Sequence, residues 1–344
     1  MDFKRFDAIL DARTPSEYAL DHVPGAVSTP VLDDAERAEV GTLYKQVSAF
    51  EAKKRGAALV AKNVARHIEE HFGGKTKDWR PLVYCWRGGK RSGAMAHILR
   101  EVGWQAETLA GGYRAYRRWV VGELARLPYR FRFRVIHGAT GSGKSRLLRA
   151  LEDAGAQTLD LEALARHRGS VLGALPGEPQ PSQKWFESQV LSRLLALDAE
   201  QPVYVEGESK KIGELQVPEV LMERMRASTC VLVEADVETR VSLLLDEYGH
   251  FLADAAALGA QLDCLAALHG NQRIAEWKAL AARGAWREFV GALLVEHYDP
   301  AYTRSATRNF AQLGAAPRVR LAAPDDAALR AVAARVLTEL STLS

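Results

Sequence analysis

The chain has 344 residues, which favours two domains over one, and its 47% hydrophobic and 26% charged residues are typical of a globular protein. No run approaches the roughly 18 consecutive apolar residues of a membrane helix, and the N-terminus lacks the apolar core of a secretory signal. Its three cysteines are far apart in sequence, which argues against a disulfide scaffold and makes the cytoplasm the expected compartment.

A formal net charge of +3 does not by itself indicate a nucleic-acid partner, but the arginines are unevenly distributed. A cluster of this kind can contact a phosphate backbone, although a solvated segment between two domains explains it equally well. Seven arginines fall between residues 114 and 134, namely Arg114, Arg117, Arg118, Arg126, Arg130, Arg132 and Arg134.

The first part of the chain alternates between strands and helices, which indicates an α/β domain with a largely parallel sheet. Short apolar runs predict buried strands at 8–12 and 81–84, and Pro15 starts a short helix. Helical periodicity over 56–72 ends at two glycines, and a further helix is predicted over 93–102.

A second strand–loop–helix cycle begins after Pro128, which predicts a first domain of residues 1–125 and a second of residues 126–344. The Ala- and Leu-rich stretch 237–294 is predicted to be mostly helical. The remaining predicted elements are a strand at 131–136, a glycine-rich loop at 137–144, a helix at 145–153, and strands at 202–206 and 229–233.

The segment that begins at Cys85 has a Cys-x5-Arg spacing between a predicted strand and a predicted helix. A loop that curls around its first residue directs backbone N–H groups inward and forms a nest for an anion. Two glycines permit this backbone, and three basic side chains add positive charge, which lowers a thiol pKa from its usual value of about 8.5. The predicted catalytic residues are Cys85 and Arg91, and the predicted anion-binding residues are Arg87, Gly88, Gly89 and Lys90.

That spacing alone fits two reaction classes, phosphate-monoester hydrolysis and transfer of a sulfur-type atom. The surrounding sequence resembles a rhodanese domain, because its landmarks occur in order at residues 10–18, 22–26, 85–92 and 109–113. Asp21 stands where a glycine commonly precedes the histidine of the second landmark. The resemblance implies that Cys85 carries sulfur or selenium as a persulfide or perselenide.

Residues 138–145 match the pattern G-x4-G-K-[ST] in full, between a predicted strand and a predicted helix. Backbone N–H groups of such a loop surround a diphosphate, the lysine reaches its outer oxygens, and the hydroxyl residue can hold magnesium. Glu206 is either a carboxylate on the metal side or a charged strand end. The motif leaves ATP, GTP and a non-nucleotide diphosphate open. The predicted diphosphate-binding residues are Gly138, Gly141, Ser142, Gly143, Lys144 and Ser145.

A rhodanese-like α/β domain followed by a P-loop NTPase-like α/β domain with a helical C-terminal part resembles the bacterial tRNA 2-selenouridine synthase family. The loop form Cys85-Trp86-Arg87-Gly88-Gly89 is part of this resemblance. Further similar segments lie outside the two motifs, at residues 36–46, 159–162, 167–170, 208–213 and 297–302.

The family resemblance implies that selenium replaces the sulfur of the wobble 2-thiouridine in certain tRNAs. Selenophosphate is then the donor, bound by residues 87–91, and Cys85 accepts the selenium or holds a selenium-bearing intermediate. The P-loop holds the geranyl diphosphate from which an S-geranyl intermediate is made, with Mg²⁺ and ATP as further candidates. His297 is either catalytic or part of a turn.

Two alternatives stay open at this stage. One is a sulfurtransferase fused to an ATP-dependent kinase or ATPase, and the other is a non-catalytic, nucleotide-gated tRNA-binding module. The intact Cys85 disfavours the second. Cys230 and Cys264 are predicted to be small buried hydrophobic residues, and Trp277 and Trp286 are predicted to pack in the core rather than stack on bases. Candidate tRNA-backbone contacts in this region are Arg273, Lys278, Arg283 and Arg287.

Overall fold

The computed structural model describes residues 1–170, 172–249, 255–310 and 312–341. The chain divides into two compact units, one of residues 1–124 and 181–192, the other of residues 125–180 and 193–344. The predicted second domain comprised residues 126–344, whereas residues 181–192 group with the first unit. Within these described ranges no helix is both long and apolar enough to cross a membrane.

The first unit is built on a four-stranded parallel sheet of order β2-β1-β3-β4. Its strands are β1 (Ala8–Asp11), β2 (Val27–Ser28), β3 (Pro81–Tyr84) and β4 (Glu107–Thr108). Its helices are α1 (Pro15–Leu20), α2 (Asp34–Gln46), α3 (Ala49–His67), α4 (Lys90–Val102) and α5 (Gly112–Leu124), and a π-helical turn (Ile68–Phe72) extends α3.

Strand β3 lies in the centre of this sheet, and all four of its residues are buried. A strand covered on both faces needs an apolar run rather than alternation, as the sequence Pro-Leu-Val-Tyr shows. Val83 packs with Leu10 of β1 and with Met95 and Leu99 of α4 in one hydrophobic core. This packing fixes the carboxyl end of β3 against the start of α4, where Cys85 lies.

The second unit contains a five-stranded parallel sheet of order β11-β10-β5-β7-β6 and a two-stranded antiparallel pair, β8-β9. Its strands are β5 (Phe133–His137), β6 (Gln157–Leu159), β7 (Val203–Glu206), β8 (Lys211–Ile212), β9 (Leu215–Gln216), β10 (Thr229–Glu234) and β11 (Arg318–Arg320). Two 3₁₀ turns occupy Leu127–Arg130 and Leu313–Ala315.

The described helices after residue 140 are α6 (Lys144–Asp153), α7 (Leu161–Ala165), α8 (Gln183–Ala196), α9 (Glu219–Arg226), α10 (Val237–Glu247), α11 (Ala255–Asp263), α12 (Ala266–His269), α13 (Asn271–Ala282), α14 (Trp286–Leu293), α15 (Asp299–Asn309) and α16 (Asp326–Ser341). A π-helical segment (Leu294–Tyr298) joins α14 to α15. The mostly helical character of 237–294 is thus confirmed over its described part; residues 250–254 lie outside the described residues.

The four-stranded and the five-stranded sheet are both parallel, which confirms the predicted α/β fold class. Strands β5, β7 and β10 carry the apolar runs that the sequence shows, and each is mainly buried. Strands β6 and β11 were not predicted, because three residues are too few for a periodic signal. Their position in the sheet matters for the site, since β6 pairs with β7 and β7 with the central strand β5.

Candidate functional site

Cys85 follows β3 directly, and its loop closes at the first turn of α4. Gly88 has φ +65°, a conformation that a side chain would strain, and a Cβ there would lie 2.5 Å from the backbone oxygen of Leu109. Gly112 has φ +56°, and a Cβ there would lie 2.2 Å from the backbone oxygen of Cys85. Gly88 and Gly112 therefore allow the backbone of the cysteine loop and the backbone of residues 109–112 to come into contact.

This contact extends beyond Gly112. The N–H of Tyr113 donates to the backbone oxygen of Cys85 at 2.9 Å, and the N–H of Arg114 donates to that of Trp86 at 3.1 Å. The fourth rhodanese landmark (residues 109–113) thus holds the cysteine loop in its curled conformation. Trp86 itself is 38% exposed and its ring lies 5.3 Å from that of Tyr113.

The thiol of Cys85 is almost completely buried and accepts two hydrogen bonds. The N–H of Gly89 lies 3.3 Å from Sγ, and the Ser92 hydroxyl lies 3.2 Å from it. Burial raises the pKa of Cys85, but hydrogen bonds from the Ser92 hydroxyl and from backbone N–H groups of Ser92, Gly89 and Arg87 outweigh it and leave that pKa below its ordinary value. The sequence suggested backbone N–H groups and basic side chains as the stabilising groups and assigned no role to Ser92, whose hydroxyl lowers the pKa most.

A depression of about 520 Å³ opens over the thiol and is lined by five basic or aromatic side chains besides Cys85. Arg91 lines it but pairs with Glu17 of α1 at 2.7 Å, so most of its charge is compensated. In the described part of the chain no acidic side chain pairs with Arg37, Arg87 or Lys90. These three side chains supply the positive field that attracts an anion. Arg37 belongs to the family-like segment 36–46, but the sequence assigned it no role because it lies on α2, far from the loop along the chain.

Polar residues in and next to the first two rhodanese landmarks form a buried hydrogen-bond network. The guanidinium of Arg13 donates to the Asp11 carboxylate at 2.6 Å and to the backbone oxygen of Asp21 at 2.6 Å. Tyr84 donates to Asp11 at 2.7 Å and Tyr113 to the Asp21 carboxylate at 2.7 Å. Asp21, which departs from the family pattern, thereby connects the second landmark to the fourth.

The phosphate-binding loop follows β5, the central strand of the second sheet. Gly138 is required, because a Cβ there would lie 2.3 Å from Ser142 Oγ. Gly141 and Gly143 have φ +77° and +80°, in the left-handed region. Lys144 donates to the backbone oxygen of Gly138 at 2.9 Å, so its ammonium lies over the loop where a diphosphate would bind.

Three carboxylates face this loop. Glu206 ends β7, Glu208 follows it, and Glu162 lies in the first turn of α7. Their oxygens come within 4.8 Å of one another, and the hydroxyl of Ser145 lies 3.3 Å from Glu162. The cluster forms because β5, β7 and β6 are neighbours in a parallel sheet, so the chain after each strand meets at one edge.

Burial, followed by the charge of Glu208, raises the pKa of Glu206 to about 8. Burial also raises the pKa of Glu162 and of Glu208, and Lys144 only partly opposes this. One oxygen of Glu206 is buried and has no hydrogen-bond partner. Oxygen ligands at this spacing suit a hard divalent cation such as Mg²⁺, which would supply the missing partner and relieve the repulsion. Of the three, the sequence suggested a metal-binding role only for Glu206.

The loop and the carboxylates line one pocket of about 700 Å³. Segments that the sequence had singled out only as family-like converge here and supply Asp160, His167, Glu208 and His297 to the lining. His297 is 8% exposed, and its Nδ1 lies 2.9 Å from Nε2 of His269. It is therefore part of the pocket wall and is positioned by a second histidine.

Models of known protein families match both parts of this architecture. Residues 1–118 match the rhodanese-like domain model, and residues 131–266 match the model of the tRNA 2-selenouridine synthase AAA domain. A tRNA 2-selenouridine synthase from a Sulfurovum species is 31% identical over 340 residues, covering 89% of this chain and 90% of that protein. This chain belongs to the tRNA 2-selenouridine synthase family.

Two further relatives carry the same family name. The tRNA 2-selenouridine synthase of Alcanivorax borkumensis is 32% identical over 332 residues, covering 87% of this chain and 90% of that protein. The one of Nitrosomonas europaea is 36% identical over 244 residues, covering 70% of this chain. The chain spans 63% of the length of that relative, so the alignment leaves part of it unmatched.

The P-loop of this family member is supported by a buried arginine that no sequence motif indicates. Arg240, on α10, is 5% exposed and donates to the backbone oxygen of Thr140 at 2.9 Å. The same guanidinium pairs with Asp299 at 2.6 Å. Asp299 lies in the family-like segment 297–302, which explains why that segment accompanies the P-loop.

The structure also shows the surroundings of several other residues for which the sequence suggested a role. Trp277 is fully buried and Trp286 packs against the same core, so both core predictions are confirmed. Cys230 is buried, but the prediction for Cys264 was wrong, because Cys264 lies exposed in the turn between α11 and α12. Arg117 pairs with Glu187 within the first unit. Ion pairs with neighbouring acidic residues also engage Arg273, Lys278, Arg283 and Arg287.

Proposed function

We propose that this protein converts the wobble 2-thiouridine of tRNA to 2-selenouridine, with selenophosphate as the selenium donor and an S-geranyl intermediate made from geranyl diphosphate. The observation that carries the proposal is the Cys85 thiol, which accepts two hydrogen bonds at the base of a cationic depression. Such a thiol is ionised more readily than an ordinary cysteine and faces a site that favours an anionic donor.

The P-loop pocket supports the alkylation half of the proposal. Lys144 and the loop N–H groups bind the diphosphate, and they stabilise its charge as it leaves C1 of the geranyl group. The sulfur of 2-thiouridine forms the new C–S bond while the C–O bond to diphosphate breaks. A magnesium ion held by Glu162, Glu206 and Glu208 would neutralise diphosphate charge in this pocket.

Alkylation of the sulfur makes the second half-reaction, the replacement of sulfur by selenium, chemically feasible. An S-geranyl group turns the sulfur into a thiol leaving group and makes C2 of the base electrophilic. A selenium nucleophile then adds at C2, geranyl thiol is expelled, and the C2–Se bond replaces the C2–S bond. The exposed indole of Trp86 offers a stacking surface for the target base beside the Cys85 depression.

Electron balance restricts what Cys85 does with selenophosphate. If selenium moved onto the thiolate as a perselenide, the phosphorus would be released as phosphite rather than phosphate. Releasing phosphate instead would need a two-electron oxidant, and neither proposed co-substrate is one. A balanced step forms an S–P bond at Cys85, breaks the Se–P bond and releases hydroselenide as the nucleophile for C2. Water then hydrolyses the phosphocysteine. Arg87 and Lys90 lie where they can hold the phosphoryl oxygens.

The test is incubation with selenophosphate, geranyl diphosphate and thiolated tRNA, followed by mass spectrometry of the nucleosides. Selenouridine together with S-geranyl-2-thiouridine is the expected result. ATP turnover without either nucleoside would indicate a sulfurtransferase fused to a kinase or ATPase. Binding of tRNA without modification would indicate a non-catalytic module.

A further inference from the structure

A second, apolar cavity adjoins the P-loop pocket. Its volume is about 50 Å³, and the described residues that line it include no charged side chain. Thr140 of the P-loop lines both spaces, as do Leu244 and Tyr248. The cavity therefore lies directly beside the phosphate site, although its lining is apolar where that of the phosphate site is polar and charged.

The wall of this cavity belongs to the helical part of the second unit. Leu244 of α10 touches the P-loop directly, since a Cβ on Gly141 would lie 2.8 Å from its side chain. The far wall comes from α11 and α14, where Leu258, Phe289 and Leu293 are buried in one hydrophobic cluster. An apolar ligand that leaves the P-loop at Thr140 thus meets hydrocarbon at once.

We infer that this cavity receives the distal end of the hydrocarbon chain of a prenyl diphosphate whose diphosphate lies on the P-loop, and that it limits the chain length. The inference rests on the proposed function and names the residues that select its alkyl donor. A nucleotide base needs several polar partners at its edges, whereas the side chains of the described lining offer only a few hydroxyl groups and the indole N–H of Trp286, and the hydroxyls of Ser170 and Tyr248 already contact each other. Burial of an apolar chain needs none.

The size of the cavity sets the limit. An enclosed apolar cavity of about 150 Å³ admits a benzene ring, and the volume here is about 50 Å³. The larger pocket therefore holds the diphosphate and the first isoprene unit, and the cavity holds only the end of the second. Farnesyl diphosphate has one further isoprene unit, which the far wall at Trp286 and Phe289 excludes.

Binding to the full-length protein, measured by calorimetry with geranyl diphosphate and with inorganic diphosphate, tests the first part. Wild type should bind geranyl diphosphate at least about tenfold more tightly. Val290→Phe places a ring in the cavity and should remove that preference while inorganic diphosphate binds as before. Val295→Phe is the matched control, because Val295 is exposed nearby and lies outside the lining, and it should keep the preference.

Chain length is tested with farnesyl diphosphate. Trp286→Ala removes part of the far wall and should improve farnesyl relative to geranyl binding by about tenfold. Thermal melting shows whether each variant is folded, and Val290→Phe and Trp286→Ala act in opposite directions. Equal binding of geranyl and inorganic diphosphate by wild type, or the same ligand preferences in all three variants, would overturn the inference. Failure of the proposed function looks different, since tight geranyl diphosphate binding would then accompany unmodified tRNA.

Discussion

The Cys85 depression and the P-loop pocket are assembled in different ways. In the first, the hydrogen bonds to the thiol come from the short segment 85–92, and backbone contacts from residues 109–114 hold that segment in place. The second combines a local loop with carboxylates and an arginine from segments far away in sequence. One site activates a nucleophile in a cationic environment, and the other sets a single lysine opposite three acidic groups. This contrast is the basis for assigning the two proposed half-reactions to different sites.

The largest expected effect separates the two sites directly. Cys85→Ala should lower the rate of selenation by on the order of 10³-fold or more, because the attacking thiolate is lost. Formation of S-geranyl-2-thiouridine should continue at its normal rate, as nucleoside mass spectrometry can show.

Cys264→Ala is the matched control for this experiment, since Cys264 is an exposed cysteine in the other unit. It should leave both products unchanged. Loss of both activities in folded Cys85→Ala would mean that the two half-reactions are not divided as proposed.

The reciprocal experiment removes the cation of the P-loop. Lys144→Ala should reduce geranylation by about 10²–10³-fold, because the leaving diphosphate loses its main counter-charge. Selenation of tRNA that already carries the S-geranyl group should persist, which a coupled assay with pre-alkylated tRNA would measure.

Lys53→Ala, at an exposed position of α3, provides the control for removal of a lysine. It should alter neither step. A normal yield of geranylated tRNA from Lys144→Ala would refute the assignment of the diphosphate to the P-loop.

Residues far from the P-loop in sequence should contribute to the stability of that loop. Arg240→Ala breaks an ion pair whose arginine is buried and a hydrogen bond to the loop, so we expect the free energy of unfolding to fall by about 2 kcal/mol. Urea denaturation measures this, and inorganic diphosphate should bind more weakly. Arg287→Ala breaks an exposed pair with Glu238 and should cost at most about 1 kcal/mol. Equal costs would mean that Arg240 does not anchor the loop.

The smallest effect concerns the pH dependence of Cys85. Its pKa is lowered in the folded protein, so the thiolate prevails above that pKa and is lost as pH falls through it. Ser92→Ala removes a donor to Sγ and should raise the pKa, so the profile of iodoacetamide reaction rate should move to higher pH. Ser92→Thr retains a hydroxyl and should restore the profile. An unmoved profile in Ser92→Ala would show that backbone N–H groups alone stabilise the thiolate.

Prediction from sequence succeeded where the chemistry is local. The strand before Cys85, the strand before the P-loop and the glycines of both loops follow from residues within one short segment. Arg37, Glu162, Glu208 and Arg240 could not be found in this way, because their proximity to the sites depends on which strands and helices are neighbours. Segments 159–162 and 208–213 did carry a signal through family similarity, although it assigned them no role.

By itself the sequence determined the α/β class, the two motifs and the candidate residues within each motif, since these depend on periodicity and on spacing within a loop. Only the tertiary structure decided how Cys85 is activated, because hydrogen bonds to Sγ depend on the curl that Gly112 permits. It also decided that three glutamates meet at one sheet edge and that an apolar cavity opens beside Thr140. Strand order and helix packing bring together groups that no sequence window contains.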